Sequence, residues 1–139
     1  MKCFTLGYGG RSPAELIDLL TRAGIRTVVD IRSAPQRSYL GIFSRQKNPE
    51  SGIEGLLGRA GIAYLALPEL ANEFREHEDW RERYARFLGR RGKKLVKPLL
   101  EVAEPIALLC AEKKVGECHR EQLAAYLRKQ WPGVEVVHL

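Results

Sequence analysis

Five short strand-like runs, each separated from the next by enough chain for a helix, constrain this sequence more than any other feature. They are residues 2–7 (KCFTLG), 27–31 (TVVDI), 62–67 (IAYLAL), 106–110 (IALLC) and 134–138 (VEVVH). The second is apolar at nearly every position, the pattern of a strand covered on both faces, and the fourth is an apolar run. Helix-forming stretches lie between them. Behind the first run, Ser12 is placed as an N-cap, Pro13 takes the first helical position, and Glu15 completes a capping box. Leu16, Ile17, Leu20 and Ala23 then recur on one helical face, and Gly24 is placed to end it.

A short helix is expected over residues 53–61. Trp80, Tyr84, Phe87 and Leu88 mark one helical face, and Leu95, Leu99 and Val102 mark a second helix, with Gly89 to Gly92 separating the two. Cys118 to Gln130 reads as the last helix, with Leu123, Ala124 and Leu127 inward and Trp131, Pro132 and Gly133 stopping it. The order β-α-β-α-β-α-α-β-α-β predicts an α/β fold. It has a single open, mostly parallel five-stranded sheet with helices on both faces, a Rossmann-like three-layer arrangement, because parallel neighbours need crossover connections. No linker or repeat interrupts the alternation, so residues 1–139 are expected to form one domain.

The longest apolar runs span only a handful of residues, too few to cross a membrane. The start, MKCFTLGYGG, lacks the apolar core of a secretion signal, and a cytoplasmic location is expected. The three cysteines, Cys3, Cys110 and Cys118, cannot all pair within the chain, so free thiols are expected, with Cys3 in the core. The net charge of +6 is local: from Arg81 to Lys97, eight basic residues face Glu82 alone, a net of +7 that leaves −1 for the rest.

In open parallel sheets ligands bind beyond the carboxyl ends of the strands. The strand exits carry Tyr8, then Asp30, Arg32 and Ser33, then Glu69, then Cys110 and Glu112, while Arg11 follows the first turn and Cys118, His119 and Arg120 open the last helix. A carboxylate at the end of a buried strand must be paired, which makes Asp30 a partner for Arg32 or Arg120. The residues 110–120 (CAEKKVGECHR) form a strand, a loop and a helix start, and a helix N-terminus favours an anion that Arg120 can grip with two donors. Cysteines near helix N-termini and basic groups can have pKa values lowered from about 8.5 into the range of roughly 3.5 to 7.5. Other readings stand beside these. Cys110 fits a small core residue, His119 fits a general base or a helix-start hydrogen-bonding group, and Asp30 with Arg32 fits a structural ion pair.

Several mechanisms are disfavoured. A phosphatase-like loop needs an arginine where Gly116 stands, and neither the nucleotide P-loop nor the dinucleotide fingerprint is present. Cys110, Cys118 and His119 lack a recurrent metal-ligand spacing, so no metal is expected.

The segments TLGYGG, VVDIRS, GIAYLALPEL and LLCAEKKVGECHR, in this order, resemble the prokaryotic domain-of-unknown-function family 488. The resemblance runs over nearly the whole chain, and CAE followed by CHR is its most specific part. It implies a small α/β fold and matches Tyr8, Asp30, Arg32, Glu69, Cys110, Glu112, Cys118, His119 and Arg120 to family motif positions. It implies no reaction. The chain departs from the family pattern at Ala71 and Asn72, where members often carry glycines, and at Val115 and Gly116, where they often carry a proline.

Two functions follow as expectations. The first is a site that binds or acts on a phosphate-bearing small molecule or nucleotide, with Asp30, Glu112, Cys118 and His119 as catalytic candidates and Tyr8, Arg11, Arg32, Ser33, Glu69, Cys110 and Arg120 as ligand-binding ones. The second is a nucleic-acid-binding module using Arg86, Arg90, Arg91, Lys93, Lys94 and Lys97, against which stands the plainer reading of a solvated basic helix with Trp80 and Tyr84 buried.

Overall fold

The computed structural model describes residues 1–139. Its five strands are β1 (Lys2–Gly7), β2 (Thr27–Asp30), β3 (Ala63–Ala66), β4 (Ile106–Cys110) and β5 (Glu135–His138). They form one wholly parallel sheet in the order β3-β2-β4-β1-β5. The run read as covered on both faces, β2, and the apolar β4 lie inside the sheet and are buried at every position, whereas β3 and β5 are its more exposed edges.

Helix α1 (Pro13–Arg22) carries the full capping box, with Ser12 Oγ accepting from the Glu15 amide and the Glu15 carboxylate accepting from the Ser12 amide, both at 3.1 Å. Gly24 follows its end at φ +71°, a conformation that a side chain disfavours. Helix α2 (Ile53–Arg59) joins β2 to β3. Helix α3 (Trp80–Phe87) continues through a wide turn at Leu88–Gly92 into a short α4 (Lys93–Leu95), and α5 (Arg120–Gln130) precedes β5. The separation expected at Gly89 to Gly92 is therefore a continuation of the coil, and Val102 lies beyond any helix. Gly92 is there for contact, since a Cβ would come 2.7 Å from the Tyr126 ring of α5. No helix is long and apolar enough to cross a membrane.

Strand alternation splits the core in two. Phe4, Leu6, Val28, Ala107 and Leu109 pack with Leu16 and Leu20 of α1 and Ile53 and Leu57 of α2. Cys3, Val29, Ile106, Leu108 and Cys110 pack on the other face with Tyr84 of α3 and Leu123 and Leu127 of α5. The connections from β1 and β2 run toward β3 over one face, and those from β3 and β4 run back toward β5 over the other. β4 thus sits between two neighbours whose outgoing chains leave by the opposite face, which opens a crevice beyond its carboxyl end. The register sets Gly7 beside Cys110 and Asp30 beside Leu109, so the exits of β1, β2 and β4 meet at that crevice.

Candidate functional site

A cleft of about 560 Å³ lies at these exits, lined by Tyr8 from β1, Arg32 and Ser33 from β2, Cys110 and Glu112 from β4, and Cys118 and His119 ahead of α5. The β1 exit can approach β4 only because its residues are glycines. A Cβ on Gly7 would collide with the Glu112 carbonyl, and one on Gly9 would stand 2.6 Å from the Ala111 carbonyl. Tyr39, in the long loop after β2, donates from its hydroxyl to the carbonyls of Arg11 (2.7 Å) and Tyr8 (3.3 Å), while Phe43 of the same loop packs on the Tyr8 ring at 5.0 Å. The long loop after β2 is thereby strapped over the β1 exit.

Asp30 is buried behind the cleft wall. Its carboxylate accepts from the Arg32 amide (3.1 Å), Arg32 Nε (2.9 Å), Arg32 Nη2 (2.6 Å) and the Tyr64 hydroxyl (2.6 Å). Arg32 is therefore the partner, and Arg120 is not. Burial alone would pull the Arg32 pKa down, but the bonds and charge of Asp30 hold it above its ordinary value, so the guanidinium stays charged. Its Cζ lies 5.1 Å from the Tyr8 ring centre, and its Nη1 is buried without a hydrogen-bond partner.

Arg120 has no exposed surface. Its Nη1 donates to the Glu112 carbonyl (2.6 Å) and contacts Cys110 Sγ (2.9 Å), and its Nη2 donates to the Lys113 carbonyl (2.9 Å). The grip on an anion expected of Arg120 is replaced by a grip on the loop that leaves β4. Arg11 likewise turns back to the Gly7 carbonyl at 2.8 Å, and Glu69 is exposed in a turn after β3, outside the cleft.

The Arg120 clasp folds the loop after β4 back on itself and brings the Cys118 sulfur against the Cys110 sulfur, placed to bond as a pair. This corrects the expectation of free thiols for that pair. Cys3 does remain free and buried, and burial pushes its thiol up to about 12. His119 Nε2 lies 3.1 Å from the Ile31 carbonyl, which can only accept, so Nε2 carries the proton and Nδ1 is left as an acceptor 3.7 Å from Cys118 Sγ. Burial lowers the His119 pKa to about 4, partly offset by the bond to Ile31, and the ring is neutral at pH 7. The Tyr84 ring meets it edge-on at 5.1 Å, with the Tyr84 hydroxyl anchored to the Leu70 carbonyl at 2.6 Å.

The donor atoms of Cys110, Glu112 and Cys118 lie within 4.8 Å of one another, as a metal site would require. The fixed positive charge of Arg120 against Cys110 Sγ opposes a cation there, so the set does not fit a metal.

The cleft also holds residues that the sequence pattern hid: Arg37, Asn72, Arg75, Glu76, Trp80 and Glu117. Trp80, read as a core residue of the helical stripe, is only half-buried and lies under the Arg81 guanidinium at 4.4 Å; Tyr84 is the buried one. The basic residues from Arg86 to Lys97 are all exposed on the opposite side of their coil from Leu88, Val96 and Leu99.

Fold and site together define a parallel α/β domain whose strand exits hold an ion-paired arginine, a cysteine pair and a buried neutral histidine around one cleft. The chain belongs to the domain-of-unknown-function family DUF488, whose model matches residues 12–127. No curated protein and no solved structure matches it.

Proposed function

We propose that the cleft binds a phosphate-bearing small molecule or nucleotide, with the anion on the guanidinium of Arg32. One observation carries the reading: Arg32 is held rigidly by Asp30, stays charged, lines the cleft, and keeps one buried N–H nitrogen, Nη1, without a partner. A buried donor left unmet costs about 1–3 kcal/mol, and a ligand oxygen would remove that cost. Arg37 and Arg75 on the rim add positive charge, and the Trp80 ring offers a face for a base.

The test is isothermal titration of the intact chain with inorganic phosphate, sugar phosphates and nucleoside mono- and diphosphates, with Trp80 fluorescence as a second readout. Binding at one site is expected, weakened about tenfold by Arg32→Lys, which keeps the charge and loses the fork. A nucleotide, unlike a sugar phosphate, should also lose affinity on Trp80→Ala. Absence of binding across the series, or binding indifferent to Arg32→Lys, overturns the reading.

A further inference from the structure

The cysteine pair is not explained by anion binding. Both sulfurs belong to residues of the cleft wall, they face each other, and each has its own polar neighbours. Cys110 Sγ has Arg120 Nη1 at 2.9 Å and a Glu112 carboxylate oxygen at 3.6 Å. Cys118 Sγ has His119 Nδ1 at 3.7 Å and the Arg120 amide, in the first turn of α5, at 3.4 Å. A structural disulfide has no need of a proton acceptor beside each sulfur. A thiol whose thiolate must form does: a fixed cation stabilises the anion, and a carboxylate or neutral imidazole receives the proton. The third cysteine shows the contrast: all three are buried, but Cys3 on β1 has only the Phe4 carbonyl near its sulfur, at 3.8 Å.

We infer that Cys110 and Cys118 are a redox-active pair that reduces small disulfides entering the cleft by thiol–disulfide exchange. In the dithiol form Cys110 gives its proton to Glu112 and its thiolate rests on Arg120. The thiolate attacks one sulfur of a substrate disulfide R–S–S–R, an S–S bond to Cys110 forms, the substrate S–S bond breaks, and one RS⁻ leaves with the proton held by Glu112. Cys118 then attacks Cys110 Sγ in the mixed disulfide. The Cys110–Cys118 bond forms, the second RS⁻ leaves, and the Cys118 proton goes to it, the thiol having been oriented by the acceptor His119 Nδ1. Two electrons move from the protein dithiol to the substrate, giving two RSH, and a dithiol reductant returns the pair to its starting state. His119 is a positioning residue here: its Nε2–H bond to Ile31 fixes which nitrogen faces Cys118.

The activity is independent of the anion reading and is tested without any phosphate ligand. The full chain, reduced and desalted, is mixed with oxidised glutathione, quenched, alkylated and mapped by peptide mass spectrometry, with Cys3 as the internal unreactive thiol. The wild type should gain the Cys110–Cys118 cross-link with no lasting adduct. Cys118→Ser should trap glutathione on Cys110, and Cys110→Ser should form an adduct on Cys118 about tenfold more slowly, as a thiol lacking the guanidinium contact. Circular dichroism checks that both variants are folded, and a reductase assay with oxidised glutathione and dithiothreitol should show turnover in the wild type alone. The inference is overturned if both cysteines stay open to alkylation, if the two single variants react equally fast, or if the reduced chain takes up one equivalent of zinc that blocks both thiols.

Discussion

Asp30→Asn is the substitution that most directly tests how the cleft wall is built. The carboxylate has no exposed side-chain surface and accepts four hydrogen bonds, three from Arg32 and one from Tyr64. Asparagine keeps the shape, and its remaining oxygen can still accept from the Arg32 amide and Nε. The other position becomes an NH₂ group facing two donors, Arg32 Nη2 and the Tyr64 hydroxyl, and the buried guanidinium loses its counter-charge. Removing one member of a buried pair costs about 3–5 kcal/mol, against a total stability of about 5–15 kcal/mol for an ordinary domain. The variant should therefore fold but unfold early. With a urea slope of about 2 kcal/mol/M, its midpoint should fall by about 2 M.

The assay is equilibrium urea unfolding followed by tryptophan fluorescence and circular dichroism together. Adding Arg32→Met to Asp30→Asn removes the stranded charge, so the double variant should be more stable than the sum of the singles by about 1–3 kcal/mol. A midpoint within about 0.3 M of wild type, or additive single effects, would refute the claim that Asp30 holds Arg32 in place.

Three further outcomes follow from the same geometry. His119 has an ordinary pKa of 6.5 and about 4 in the fold, so the unfolded chain takes up the proton first as pH falls. The stability present above pH 6.5 should thus decline by about 3 kcal/mol between 6.5 and 4, and His119→Gln should flatten that stretch of the pH–stability curve; parallel curves would contradict it. Tyr84→Phe leaves the buried Leu70 carbonyl without its donor and should cost about 1–3 kcal/mol by urea unfolding, whereas an unchanged midpoint would mean the bond is unimportant. Replacing Arg90, Arg91, Lys93 and Lys94 by serine should change stability by no more than about 0.5 kcal/mol per substitution and leave phosphate binding in the cleft unaltered, because these side chains are exposed and none lines the cleft; a loss of binding would tie the basic coil to the site.

The sheet was legible because its signals are local. Consecutive apolar residues in TVVDI and IALLC mark interior strands, and the capping box at Ser12 and Glu15 sets the start of α1 to the residue. The helical stripe from Trp80 was less legible, because periodicity reports a face and not its depth. Tyr84 sits in the core while Trp80, at the helix start, reaches the cleft. Arg37, Asn72, Arg75 and Glu76 sit in stretches without periodicity, where nothing in the order of residues says which way a side chain turns.

Arg120 and the cysteines mark the boundary between what position tells and what direction tells. At the start of a helix, Arg120 has the address of an anion-binding residue. Side chains on a helix lean toward its N-terminus, however, so a long one in the first turn extends back over the preceding loop. That loop presents the carbonyls of Glu112 and Lys113, and the guanidinium fork meets both. The same clasp that takes Arg120 away from the cleft closes the chain from β4 to α5 into a tight return, and only that return brings Cys118 onto Cys110. Counting cysteines could not reveal the pair, because their meeting depends on an arginine whose direction, and not its identity, decides the shape of the site.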